Sequence, residues 1–139
     1  MNIWKYYAVL AAVFAALTAV LAKMGLKGVS GNVATAVRTI VVVFMAWGIV
    51  LLAGQMKEVR ELTKNNIFFL VLSGIATGLS WICYFKALET GDVSKVAPID
   101  KLSIVIAMLL AFVLLKEPAE PKVILGGVLI TLGAIVIIW

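Results

Sequence analysis

Residues 81–118 read WICYFKALETGDVSKVAPIDKLSIVIAMLLAFVLLKEP. The stretch contains the end of one apolar helix, a short polar turn, and a second apolar helix that ends at a charged break. Apolar runs of about 20 residues are long enough, as helices, to cross the hydrocarbon core of a bilayer. The stretch therefore predicts a hairpin of two membrane helices, against which the rest of the chain packs.

The composition of the whole chain agrees with a membrane location. Of its 139 residues, 64% are hydrophobic, whereas soluble domains are about 45–50% apolar. A soluble chain of this size has too little interior to hide so much apolar surface. We therefore predict an all-α integral membrane protein.

Outward from the hairpin, the apolar segments number five. The predicted spans cover residues 6–22, 33–54, 67–88, 96–115 and 123–139, and together form one transmembrane domain over residues 1–139. The loops are short, so the spans must pack as an up-and-down bundle. Ser30 or Asn32 can cap the second helix. Pro98 is harmless if its helix begins near Val96, but produces a kink if the helix begins near Asp92.

Residue usage excludes several classes of function. The chain has no histidine and one cysteine, Cys83. A disulfide framework, a Cys/His zinc site and a histidine-based triad are therefore excluded. Most carboxylates lie in loops, so we expect no enzyme, no metal and no cofactor. The net charge of +5 is typical of loop residues that orient a membrane protein, and no separate basic cluster indicates nucleic-acid binding.

The third predicted span carries a polar stripe. Ser73, Thr77, Ser80 and Tyr84 follow at steps of four, three and four residues, which places them on one helix face. Such a face lines a wet cavity, or it makes interhelical hydrogen bonds worth about 0.6 kcal/mol each. The Trp81 ring either stacks against a substrate as part of the cavity wall or packs as a buried aromatic side chain between helices.

Small residues predict faces for close helix packing. Gly74 and Gly78 form a GxxxG pattern in the third span, and Gly127, Thr131 and Ala134 form a stripe in the fifth.

Asp100 and Arg38 are charged residues inside predicted spans, on the same predicted side of the membrane. Asp100 is the one carboxylate within an apolar segment, and such groups are functional hypotheses by default. Alternatively, Asp100 is a carboxylate near the start of its helix that faces water close to the positive end of the helix dipole. Arg38 can pair with Asp100 or extend to the interface. Lys101 is adjacent to Asp100, but neighbours along a helix point apart and need not pair.

These motifs resemble the EamA-type family of the drug/metabolite transporter superfamily. The resemblance is strongest in the hairpin and covers essentially the whole chain. Its parts are the turn at residues 84–88, Gly91, Val96 with Pro98, Lys116–Glu117, the glycines at 126, 127 and 133, residues 23–26 and Arg38–Thr39.

The resemblance implies a transporter of small metabolites or amphipathic compounds. Family members usually fuse two five-span repeats of opposite orientation, and this chain carries one. Asp100–Lys101 stands where relatives commonly have small or apolar residues, so charge coupling is not carried over. The first span lacks the glutamate of the four-span small multidrug resistance branch, so that branch's antiport mechanism is not implied.

The sequence thus leads to the hypothesis of a transporter subunit in the cytoplasmic membrane that contacts a small-molecule substrate and the lipid bilayer. The predicted cavity is lined by Ser73, Thr77, Ser80, Trp81 and Tyr84, with Asp100 and Arg38 as charges at one mouth. Asp100 would carry a coupling proton or hold a cationic substrate. The alternative is a non-transporting membrane interaction or accessory protein that docks a partner through its glycine and alanine faces.

Lysine and arginine are divided evenly between the two predicted sides. One side has Lys5, Lys57, Arg60, Lys64, Lys116 and Lys122, and the other has Lys23, Lys27, Arg38, Lys86, Lys95 and Lys101. Loop charge sets orientation, so this balance permits insertion both ways. We expect a homodimer, antiparallel in the favoured hypothesis and parallel in the alternative.

Overall fold

The computed structural model describes residues 3–139, which contain helices and no strand. The helices are α1 (Ile3–Gly25), α2 (Gly31–Leu52), α3 (Met56–Arg60), α4 (Lys64–Thr90), α5 (Val93–Asp100), α6 (Leu102–Leu114) and α7 (Pro121–Ile138). Five segments are long and apolar enough to cross a membrane: α1, α2, α4, α5 with α6, and α7. The all-α, five-span prediction is confirmed. Each spanning segment begins two or three residues before its predicted span, and each of these short extensions contains a polar or charged residue that lowers the local hydropathy.

The ends of α2 follow from local sequence. At its start, the Ser30 hydroxyl accepts a hydrogen bond from the Val33 N–H at 3.5 Å. Of the two predicted caps, Ser30 and Asn32, the structure thus has Ser30. At its end, the Gly54 N–H donates to the Leu51 carbonyl and the Gln55 N–H to that of Val50. This pair of bonds is a Schellman motif, and Gly54 supplies the left-handed backbone with a φ of 68°.

The fourth span is interrupted. Its first part, α5, begins directly after Asp92, so Pro98 lies within the helix. Proline has no N–H to donate to the carbonyl four residues earlier, and α5 ends two residues after it. Lys101 separates α5 from α6. The helix thus begins near Asp92, which is the case in which the sequence predicts a kink at Pro98.

The helices fall into two compact units, one that ends at Thr90 and one that covers Gly91–Trp139. In the first unit, α4 packs against α2 and α1, with Phe85 and Leu88 at 2% and 0% exposure. In the second unit, α7 packs against α5 and α6. Gly127 and Ala134 are buried there, which confirms the predicted packing face of the last span.

Most apolar side chains of the spans point outward from both units. Within the most apolar 18 residues of each span, no more than 11% of the residues are buried. Burial of apolar surface is the main favourable term in the folding of water-soluble domains, and these helices achieve little of it by themselves. Lipid or helices from another chain must cover the remaining surface.

Candidate functional site

Gly31 sets how closely α2 approaches α4. A Cβ atom at this position would lie 3.0 Å from the Phe85 carbonyl carbon and 3.1 Å from the Lys86 nitrogen. Both are backbone atoms of a regular helix and cannot move aside as a side-chain tip can. Glycine therefore permits a backbone-to-backbone contact that fixes the C-terminal third of α4 against the start of α2.

Two hydrogen bonds join the helix ends next to this contact in the first unit. The Lys23 ammonium donates to the Leu88 carbonyl at 2.7 Å, and the Gly31 N–H donates to Glu89 Oε2 at 3.0 Å. Each charge has the sign that its helix end favours, since the N-terminus of a helix attracts anions and the C-terminus attracts cations. The ends of α1, α2 and α4 are thereby held together on one side of the unit.

Arg38 lies two turns into α2, where its guanidinium stacks on aromatic rings of α4. The guanidinium carbon is 4.5 Å from the centre of the Trp81 ring and 5.3 Å from that of Phe85. A cation over an aromatic face gains about 0.5–2 kcal/mol, more when water is excluded. Two residues that the sequence singled out separately, Arg38 and Trp81, are thus brought together.

A cavity of ≈ 550 Å³ lies beside Arg38 within the first unit. Residues of α1, the loop after it, α2 and α4 line it. Arg38 and Thr18 supply its polar side chains, and the rest of the wall is apolar.

A second, uncharged groove of ≈ 730 Å³ lies between α2 and α4. Its polar members include Thr35 and Thr39, whose hydroxyls donate to carbonyls one turn earlier in α2 at 2.8 Å and 2.7 Å. Gly78 lines this groove. Neither Gly74 nor Gly78 makes a close helix contact within residues 3–139, so the packing predicted for their GxxxG pattern is absent there.

The hydroxyl stripe of α4 is exposed along much of its length. Ser73, Thr77 and Ser80 are exposed in the isolated chain, and Tyr84 is partly buried. The Thr77 hydroxyl donates to the Ser73 carbonyl at 2.9 Å within its own helix. These four residues do not line either cavity of the first unit described above. Their role as a substrate-lining face stays a prediction.

Asp100 lies at the break between α5 and α6. Lys101 Nζ contacts Asp100 Oδ2 at 3.2 Å, with the two side chains 50% and 32% exposed respectively. The two neighbours therefore form an ion pair, which the sequence left open. Pairing between Asp100 and Arg38 stays a prediction.

Sequence reasoning missed Gly31, Glu89 and the contact of Lys23 with α4. All three residues lie outside the predicted spans, in the short connections between them. One local signal was present for Gly31, the residue after the Ser30 cap. Glycine disfavours a helix relative to alanine, so its presence in the first turn of α2 indicates a position with no room for a side chain. The acidic partner carried no local signal, because Glu89 is 58 positions from Gly31.

The geometry defines a class: a multi-pass α-helical membrane protein with a charged, aromatic-backed cavity in its first unit. Comparison with known proteins gives the family. Residues 2–139 match the EamA-like transporter family, and the chain belongs to that family. The resemblance read from the hairpin motifs is thereby confirmed.

A curated relative supports the same assignment. It is named an uncharacterized transporter in the cobO 3′ region of a Sinorhizobium species. It is 42% identical over 134 residues, which cover 96% of this chain and 95% of the relative. The relative is therefore about as long as this chain. No solved structure matched the chain. Family and relative both point to a membrane transporter rather than an enzyme.

Proposed function

We propose that this protein moves small metabolites or amphipathic compounds across the cytoplasmic membrane, as a dimer that alternates access between the two sides. The family match over residues 2–139 supports the transport function. The observation that carries the dimer is the number of spans, which is five within residues 3–139.

An odd number of spans places the two ends of a chain on opposite sides of the membrane. Many transporters consist of two inverted repeats around a central site. One five-span unit supplies half of that plan, and a second copy in the opposite orientation completes it. The even division of Lys and Arg between the two sides supports insertion both ways, because loop charge bias sets orientation.

The broken fourth span supports alternating access. Discontinuous helices commonly form the substrate and ion sites of inverted-repeat transporters. Here the break at Lys101 follows Pro98 by three residues and carries the Asp100–Lys101 pair. In this proposal, α5 and α6 bend relative to each other at this interruption during transport, with the Asp100–Lys101 pair beside it.

Vesicle uptake tests the transport function directly. Purified protein in lipid vesicles should accumulate at least one class of labelled solute from a panel of amino acids, sugars, organic cations and organic anions. Protein-free vesicles of the same lipid serve as the control. If no solute enters faster than in the control under any imposed ion gradient, the accessory-protein alternative is correct instead.

The antiparallel dimer predicts two orientations in the membrane. A C-terminal reporter that is active only outside the cell and another that is active only inside should both give a signal. Removing Lys57 and Arg60, both on one predicted side, should shift the ratio strongly, because the remaining positive charges then favour one orientation. A signal from one reporter alone, with unchanged loop charges, would rule out the antiparallel dimer in favour of the parallel one.

A further inference from the structure

Arg38 is a membrane-embedded charge that the first unit does not neutralise. Trp81 and Phe85 stabilise the guanidinium through their ring faces, but neither ring carries a negative charge. Within residues 3–90, no carboxylate forms an ion pair with it, and Glu89 accepts its hydrogen bond from the Gly31 N–H instead. A charge at membrane depth is costly unless it has a partner.

The stacked position of Arg38 leaves its hydrogen-bond donors available. A guanidinium has five N–H donors in its own plane, so a ring against its flat face does not occupy them. Within the first unit, none of these groups donates to a protein acceptor. This planar arrangement matches a carboxylate, which it binds through two parallel hydrogen bonds.

The cavity beside Arg38 has the size and surface of a small-molecule site. Its volume of ≈ 550 Å³ falls within the range of about 300–1,000 Å³ for ligand pockets. Leu21, Val33 and Val37 belong to the apolar part of the wall, and Thr18 adds one hydroxyl. A predominantly apolar wall with few polar groups is the usual composition of such a pocket.

We infer that this cavity binds a small organic carboxylate with an apolar body. The Arg38 guanidinium holds the carboxylate in two hydrogen bonds, Trp81 fixes the guanidinium plane, and the apolar wall contacts the body of the ligand. The inference names a substrate class for the proposed transport function and rests on it in that respect. It assigns Asp100 to ion coupling rather than to a cationic substrate or to a pair with Arg38, since the ligand is an anion that takes Arg38 as its partner.

Three probes of nearly equal size and shape test the charge preference without any mutation. Phenylacetate is the anion, phenylacetamide the neutral amide and phenethylammonium the cation. Equilibrium dialysis against the full chain in zwitterionic-lipid nanodiscs, corrected with empty nanodiscs, measures binding. Phenylacetate should bind at least about tenfold more tightly than either of the others, because a hydrogen-bonded charge pair is lost with each. Equal or tighter binding of the cation would overturn the inference.

Variants then locate the site. Arg38→Gln should weaken phenylacetate binding about tenfold or more, and Arg38→Lys should restore part of it, because an ammonium keeps the charge without the planar fork. Ala34→Phe should block the cavity while leaving Arg38 in place, since Ala34 is part of the wall. Arg60→Gln removes an exposed arginine of α3 and should bind like the unaltered protein. Unchanged binding in both Arg38→Gln and Ala34→Phe would overturn the inference.

The assay separates this inference from the transport proposal and from a lipid ligand. Binding of phenylacetate in nanodiscs with no uptake in vesicles would support the site and contradict transport. Uptake of other solutes without phenylacetate binding would support transport and contradict the carboxylate site. An anionic lipid that co-purifies with the protein, is lost in Arg38→Gln and is not displaced by phenylacetate would show that the cavity holds a headgroup, and would overturn the inference.

Discussion

Gly31→Ala is expected to destabilise the protein by about 1–3 kcal/mol, the usual cost of forcing extra atoms into a packed contact. The new Cβ would lie 3.0–3.1 Å from backbone atoms of Phe85 and Lys86. To admit it, α2 must move away from α4, and this lengthens the bond between the Gly31 N–H and Glu89. Gly31→Val should be worse, because two more methyl groups enter the same space. Thermal unfolding in detergent, followed by circular dichroism, measures the change.

Gly48 is a matched control in the same helix. No atom outside its own helix backbone lies within 4 Å of a Cβ added there. Alanine is the better helix former by about 0.8–1.0 kcal/mol, so Gly48→Ala should leave stability unchanged or raise it. An equal melting temperature for Gly31→Ala and Gly48→Ala would show that the contact between α2 and α4 is looser than the structure has it.

The sequence predicts the parts of this fold that depend on local chemistry. Hydropathy predicts five spans because each span must be apolar by itself to enter the membrane. Ser30 is predictable as a helix cap, and Pro98 as an interruption of its span once the helix start is known. The last span was predicted to pack through Gly127 and Ala134, and both are buried.

Contacts between distant parts of the chain could not be predicted in this way. The Gly31–Glu89 and Lys23–Leu88 hydrogen bonds join residues 58 and 65 positions apart. A single sequence carries no signal for such pairs. Arg38 and Trp81 were each recognised as unusual in a span, yet their stacking depends on how α2 and α4 are rotated against each other. Gly74 and Gly78 illustrate the same limit, since a small-residue pattern does not specify its partner and residues 3–139 supply none.

Asp100→Asn is expected to reduce vesicle transport at least about tenfold while leaving the protein folded. Asparagine nearly preserves the volume of the side chain but removes its charge and any capacity to carry a proton. The ion pair with Lys101 at 3.2 Å is lost, and the lysine remains as an unpaired charge at the break between α5 and α6. A group that couples ion movement to substrate movement in a membrane is typically ionisable and lies within a span.

Asp92→Asn provides the control for Asp100→Asn. Asp92 lies at the N-cap of α5 and contacts Lys95 at 3.9 Å, with the two side chains 75% and 68% exposed respectively. Exposed pairs of this kind contribute about 0–1 kcal/mol, and asparagine is as good an N-cap as aspartate. This variant should therefore transport within about twofold of the unaltered protein, since it loses only such a pair. If Asp100→Asn also transports at that rate at every pH tested, Asp100 is an interfacial carboxylate near a helix start and has no part in coupling.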